Sequence, residues 1–371
     1  MEEKLEKACE DGKVEEVRKL LQNSQINTNR QNYYDARTPF YIACEKGHLE
    51  VVKLLLNDNR IDVNVADKYD RTPFYLACLN GHTEVVKLLL NDNRVDINKA
   101  RDGDGWTPFY IACSEGHIET VKLLLKDSRV DVNKANNNGE TPFSIVCYQK
   151  HIKVKLLLKA KGHNGYLEIV KLLLNDERID INKANEHGYT PFYSACQEGQ
   201  TEVVKLLLND QRVDITKATN GGETPFWVAC QSGHIEIVKL LLNDQRVDVN
   251  KARNDGWTPF SIACYYGYIE IVKYLLANRR EIEINKKDNN GKTGLDWAKE
   301  KGKIDVVELI ESFQQNPNET RAKLRKDLAI CNFYILFYFI LFYFILFILK
   351  FDHSILLTLI DLFLFYFSFF F

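Results

Sequence analysis

The chain has 371 residues, enough by length alone for two or three compact domains. Its 49 basic and 51 acidic residues leave a formal charge of −2, which supplies no basic stripe of the kind that nucleic acid requires. Met1 to Lys19 is charged and has no apolar run of a secretory signal, so the bulk of the chain is expected in the cytoplasm or nucleus.

Taken in chain order, the first unit runs from Leu5 to Asn29, within a candidate N-terminal capping segment 1–37. It carries apolar signals at Ala8-Cys9 and Val17 to Leu21 but no Thr-Pro, and it is rich in Glu and Lys, as a solvent-facing end should be. From there the string Thr-Pro-Phe begins at Thr38, Thr72, Thr107, Thr141, Thr190, Thr224 and Thr258, with Thr293-Gly294-Leu295 as a degenerate eighth start. The steps are 34 or 35 residues, except one of 49. A fixed period of this size means stacked units rather than one closed globule.

The unit from Asp104 to Asn133 shows the physics. Thr107 is a good N-cap, and Pro108 at the first helical position lacks an N–H that would be orphaned there anyway. A short helix through Phe109, Ile111, Ala112 and Cys113 ends at Gly116, which tolerates left-handed geometry. A second helix carries Ile118, Val121, Leu123, Leu124 and Leu125. Alternation at Val130 and Val132 then leads into Asn136-Asn137-Asn138-Gly139, a hairpin-like finger that reaches the next Thr-Pro. Two helices of this length cannot bury a core alone, so each unit must lean on its neighbours.

The recurring Thr-Pro-Phe-Tyr-Ile-Ala-Cys, Gly-His and Val-Lys-Leu-Leu-Leu strings resemble the ankyrin repeat over residues 2–313. The resemblance implies an all-α solenoid of helix-turn-helix pairs with finger loops, nine units in all. Phe stands where the family has Leu, and Tyr41, Tyr75, Tyr110, Ser144, Tyr193, Trp227 and Ser261 stand where it has His. The loop after the second helix lacks the usual Gly, and Asn57, Asn91, Asn175, Asn209 and Asn243 are expected to supply its helix-ending turn.

The repeats proper span 38–292, and the 49-residue step hides an insertion at 150–164. Deleting it restores Cys147-Tyr148-Gln149-Gly165-Tyr166 in register, leaving two readings, a surface bulge or a hinge. A charged C-terminal capping repeat follows at 293–313, then a polar basic linker at 314–327 containing Arg321, Lys323, Arg325 and Lys326. The remainder, 328–371, is a hydrophobic tail. Leu328 to Leu349 carries no charge and as a helix would extend about 33 Å, enough for a bilayer core of about 30 Å. Two readings stand: a membrane anchor with its basic flank on the cytoplasmic side, or translated A/T-rich non-coding sequence, since Phe, Tyr, Ile and Leu dominate.

Catalytic and metal chemistry find no footing. Eight of the nine cysteines share one register position on the first helix, too far apart between stacked helices for a disulfide or a shared zinc, so they are expected to pack the core. His48, His82, His117 and His234 recur after Gly at a helix start, where hydrogen bonding is the expected role. Asp102-Gly103-Asp104-Gly105 hints at a calcium loop, but Cys113 occupies the place of its bidentate Glu. No cofactor motif is present, and the chain is expected not to be an enzyme.

Comparing the copies with one another locates the variable positions: the finger tip, the residue before Thr-Pro, and the two residues before the helix-ending Gly. The resemblance implies that these line the concave groove and contact a protein partner. They include Tyr69, Arg71, Leu79, Trp106, Tyr148, Tyr189, Gln231, Trp257, Tyr265 and Tyr266. Trp106, Tyr189 and Trp257 share one position and, with Tyr265 and Tyr266, are expected to be the anchors. The opposing expectation is that these rings pack on neighbouring fingers. A non-catalytic adaptor is therefore the leading expectation, and a membrane-tethered form of it the alternative.

Overall fold

Thr-Pro sets the start of nearly every unit. In a computed structural model that describes residues 1–148 and 165–328, the side-chain oxygen of Thr38 accepts from the Tyr41 amide at 3.1 Å. The same bond recurs at Thr72, Thr107, Thr141, Thr190, Thr224 and Thr258. Each cap is worth about 1 kcal/mol to a helix that is too short to stand alone.

The helices come in pairs. In chain order they are α1 (Glu2–Glu10) and α2 (Val14–Leu21), α3 (Pro39–Lys46) and α4 (Leu49–Leu56), α5 (Pro73–Leu79) and α6 (Thr83–Leu90), α7 (Pro108–Ser114) and α8 (Ile118–Leu125), and α9 (Pro142–Tyr148) and α10 (Gly165–Leu174). Then follow α11 (Pro191–Gln197) and α12 (Thr201–Asn209), α13 (Pro225–Ser232) and α14 (Ile235–Asn243), α15 (Pro259–Tyr266) and α16 (Ile269–Ala277), and α17 (Gly294–Glu300) and α18 (Ile304–Gln315). Odd-numbered helices pack on odd and even on even, forming an inner and an outer layer. The core runs between the layers as one continuous seam. Phe40, Phe74, Phe109, Phe143, Phe192, Phe226 and Phe260 are buried along it, as are eight free cysteines. Burial also pushes the thiols up, that of Cys9 to about 12.

Among the described residues, a left-handed glycine separates the two helices in every pair but α9 and α10. At Gly47 (φ 74°) a Cβ would lie 2.5 Å from the His82 ring, so backbone geometry and close approach both demand glycine. The histidines explain that proximity. His48, His82, His117 and His234 each donate from Nε2 to a carbonyl at the end of the preceding inner helix, at 2.8–3.0 Å. In α10 the Tyr166 hydroxyl takes this role toward the Ser114 carbonyl.

The outer helices end differently from expectation. Asn57 and Asn91 are right-handed, and Asn209 and Asn243 lie inside their helices; none forms a left-handed turn. The terminal carbonyls are instead bound by an arginine of the next unit. Arg94 reaches Leu56, Arg129 reaches Leu90, Arg178 reaches Leu125 and Arg212 reaches Leu174, at 2.6–2.9 Å. An aspartate two residues before each arginine holds its guanidinium in place. A side-chain donor thus does the work that a Gly turn does elsewhere.

Asparagine links the same loops. Asn64 Nδ2 donates to the Arg94 carbonyl at 2.7 Å, and its Oδ1 accepts from the Asp96 amide at 2.8 Å. Asn29, Asn98, Asn133, Asn182 and Asn250 repeat this bridge to their successors. The bridge from Asn133 and the clamp from Arg178 keep the stack continuous on either side of the undescribed 149–164. The insertion at 150–164 lies within that stretch, outside the described residues.

The fingers follow a hairpin-like path but contain no strand among the described residues. Each closes on itself through two backbone bonds, such as Asn136 N–H to the Glu140 carbonyl and Gly139 N–H to the Asn136 carbonyl. Most also meet the preceding finger through one more, such as Asn137 N–H to the Asp104 carbonyl.

The expected linker is a helix. Residues 317–328 form α19, which folds back on the last units and buries Leu324. Arg321 Nε donates to the Leu276 carbonyl, and Arg325 reaches those of Ala277 and Asn278. These two cations therefore cap α16 as a next unit's arginine would. Among the described residues no helix is long and apolar enough to cross a membrane. Apart from Leu328, the candidate span 328–349 and the rest of the tail lie outside the described residues.

Candidate functional site

The fingers and the inner helices form the two walls of a groove. The residue after Thr-Pro-Phe sits at its floor; Tyr41, Tyr110 and Trp227 there reach the following finger, whereas Ser144 and Ser261 turn back to the Thr141 and Thr258 carbonyls. The Tyr41 hydroxyl donates to Asp67 Oδ2 at 2.8 Å, and Trp227 Nε1 donates to the Trp257 carbonyl at 2.9 Å. Burial and the Asp67 carboxylate push the Tyr41 hydroxyl well above the usual tyrosine range. Burial pushes the Asp67 carboxyl up, but Arg71, the Arg71 backbone and Tyr41 outweigh it and hold it below the usual carboxylate value. These contacts stand where the family uses histidine.

The ten expected partner-contact residues divide by exposure. Tyr69, Tyr148 and Tyr266 are exposed at 56%, 47% and 42%, so they present free ring surface. Leu79, Gln231 and Tyr265 are half-buried at the ends of α5, α13 and α15. Arg71 is engaged: its guanidinium pairs with Asp67 at 2.5 Å and lies over the Tyr69 ring.

The three residues expected to be equivalent anchors differ. Trp106 stacks on Tyr110 at 5.4 Å beneath the Arg101 guanidinium, and Tyr189 stacks on Tyr193 at 4.8 Å; both are half-buried. Trp257 is only 9% exposed, wedged 4.7 Å from Trp297 and 5.3 Å from Tyr265. It belongs to the core, which corrects the expectation of a free anchor. The cause lies in the following unit, which places Trp297 where other copies carry an aliphatic side chain or Ser.

Other groove residues escaped the sequence reading. Tyr33 and Tyr34, at the tip of the first finger, are 96% and 82% exposed and pack edge to face. Their finger position, shared with Tyr69, was the available signal. Between units five and six the groove deepens into a hollow of about 270 Å³ lined by Glu140, Ser144, Tyr148, His187, Tyr189 and Ser194, among others. Elsewhere the two floor positions hold at least one bulky side chain, as with Tyr110 and Ile145 or Ser261 and Trp297. Here both are serine, and the missing volume is the hollow.

No curated protein matches the chain. A sequence model of the family described as "Ankyrin repeats (3 copies)" matches residues 5–101, 93–164, 156–252 and 226–321. Capped helix pairs, left-handed glycines and bridged fingers recur over the same span, and the chain belongs to the ankyrin-repeat family.

Proposed function

We propose that this protein is a non-catalytic adaptor that holds a protein partner in the groove between its fingers and inner helices. Ankyrin repeats generally mediate protein–protein interaction. One observation carries the placement. The caps, glycines, arginine clamps and asparagine bridges recur along the chain, while the side chains that vary between copies line the groove. Exposed tyrosines among them, Tyr69, Tyr148 and Tyr266, combine apolar area with a polar tip, which suits interface anchors.

A photo-crosslinking amino acid tests this reading in cells. Placed at Tyr69, Tyr148 or Gln231 it should yield discrete adducts with a protein. At Lys87 or Lys205, exposed on the outer helices α6 and α12, it should yield none. Adducts from the outer positions alone would remove the groove from consideration.

A further inference from the structure

The hollow between units five and six has a filled counterpart two copies downstream. There Glu223, which precedes Thr224, lies 3.5 Å from the Arg253 guanidinium of the next finger. That guanidinium sits over the Trp227 ring at 4.9 Å. Carboxylate, cation and ring together fill the slot. In register, Glu140 corresponds to Glu223, Asn185 to Arg253 and Ser144 to Trp227. The carboxylate is kept, but the cation and the ring beneath it are gone, and about 270 Å³ is left open.

The remaining parts suit a cation. Glu140 Oε2 accepts from Asn136 Nδ2 at 2.8 Å and from the Tyr110 hydroxyl at 3.4 Å, while Oε1 has no partner among the described residues. Tyr148 and Tyr189 supply ring surface on the walls. Five other groove aromatics already carry a cation from this chain: Arg37 at Tyr41, Arg71 at Tyr69, Arg101 at Trp106, Lys292 at Trp297 and Lys301 at Tyr265, at 4.2–5.7 Å. The volume lies just below the roughly 300–1,000 Å³ of small-molecule clefts, so it suits one side chain.

We propose that this hollow receives an arginine side chain presented by the partner polypeptide. The guest guanidinium takes the place that Arg253 holds in the downstream slot, donating to Glu140 and lying against the tyrosine rings. Arginine fits better than lysine because its planar fork both pairs with a carboxylate and stacks on a ring. This assignment rests on the groove being the partner-binding face.

Saturation-transfer NMR on the full chain tests it, with N-acetyl-arginine N-methylamide as probe and its neutral isostere N-acetyl-citrulline N-methylamide as control. Transfer to the arginine compound should exceed that to citrulline by about threefold or more. The ratio should fall to about one in Glu140→Gln, which removes the charge, and in Ser144→Trp, which fills the hollow. Glu140→Gln keeps an acceptor for Asn136, so its circular dichroism should match the parent even if Ser144→Trp folds poorly. Equal transfer from both compounds in the parent, zero included, overturns the assignment, as does an unchanged ratio in Glu140→Gln. Groove crosslinks formed alongside a parental ratio of one would remove the arginine pocket alone. Crosslinks only from the outer helices would remove the partner assignment, whatever the ratio.

Discussion

Thr216→Asn should stabilise this protein. Thr216 occupies the bridging position that Asn182 and Asn250 hold in the units on either side. Asn182 donates to the Arg212 carbonyl at 2.7 Å and accepts from the Asp214 amide at 2.8 Å. The corresponding Arg246 carbonyl and Asp248 amide have no protein partner among the described residues. Threonine is too short to reach them and turns its hydroxyl to Asp214 instead, at 2.8 Å. Asparagine adds two exposed hydrogen bonds of about 0.5–1 kcal/mol each and forfeits one of similar size, a net gain of about 0.5–1 kcal/mol. In a linear stack that gain falls on one interface and so acts directly on the coupling of its two neighbours. Urea unfolding of the full chain should show a higher midpoint, and the Asp248 amide should exchange its hydrogen more slowly. The reverse change, Asn182→Thr, should cost a comparable amount one interface earlier. Unaltered exchange at Asp248 together with an unmoved or lowered midpoint would refute the reasoning.

Two further outcomes follow from the geometry. Trp257→Ala removes a buried ring packed against Trp297 and Tyr265 and should cost about 3–5 kcal/mol, read as a lower urea midpoint. Asp58, Asp92, Asp127, Asp176, Asp210 and Asp244 are held below the usual carboxylate range by hydrogen bonds from the arginines two residues on. A depressed carboxyl favours the folded state above its unfolded value of about 4 and loses that contribution as pH falls through the folded value. The midpoint should therefore drop below about pH 4, and Asp127→Asn should flatten part of that slope.

What could be read from residues alone was local. Thr107-Pro108 specifies a cap and a first turn within four residues, so the inner helices were legible, and Gly116 marks their end for the same reason. The Asp-x-Arg string was equally visible, yet Arg129 acts on the Leu90 carbonyl, 39 positions upstream and across a unit boundary. Nothing in the string names that acceptor, so the asparagine that precedes it in the other units was read as the terminator. Ser144 and Ser261 look alike in sequence. One borders a hollow and the other does not, because Ser194 follows in one case and Trp297 in the other. Trp257 is likewise buried by a residue forty places downstream. Residues 317–328 read as a linker because their charge hides the use of Arg321 and Arg325 as donors to backbone.

The arginine clamps also give the stack a direction in time. Every clamp reaches backwards, so the group that finishes one outer helix belongs to chain made later. For Arg94, Arg129 and Arg212 the delay is 38 or 39 residues. On the ribosome the newest copy would always wait, its last carbonyls in water, until the following loop emerges. Shortening the protein from the front leaves every surviving clamp intact, whereas cutting after any copy strands the helix before the cut. Arg321 and Arg325 finish α16, the outer helix next to last, in the same backward sense, from a segment that is not itself a repeat.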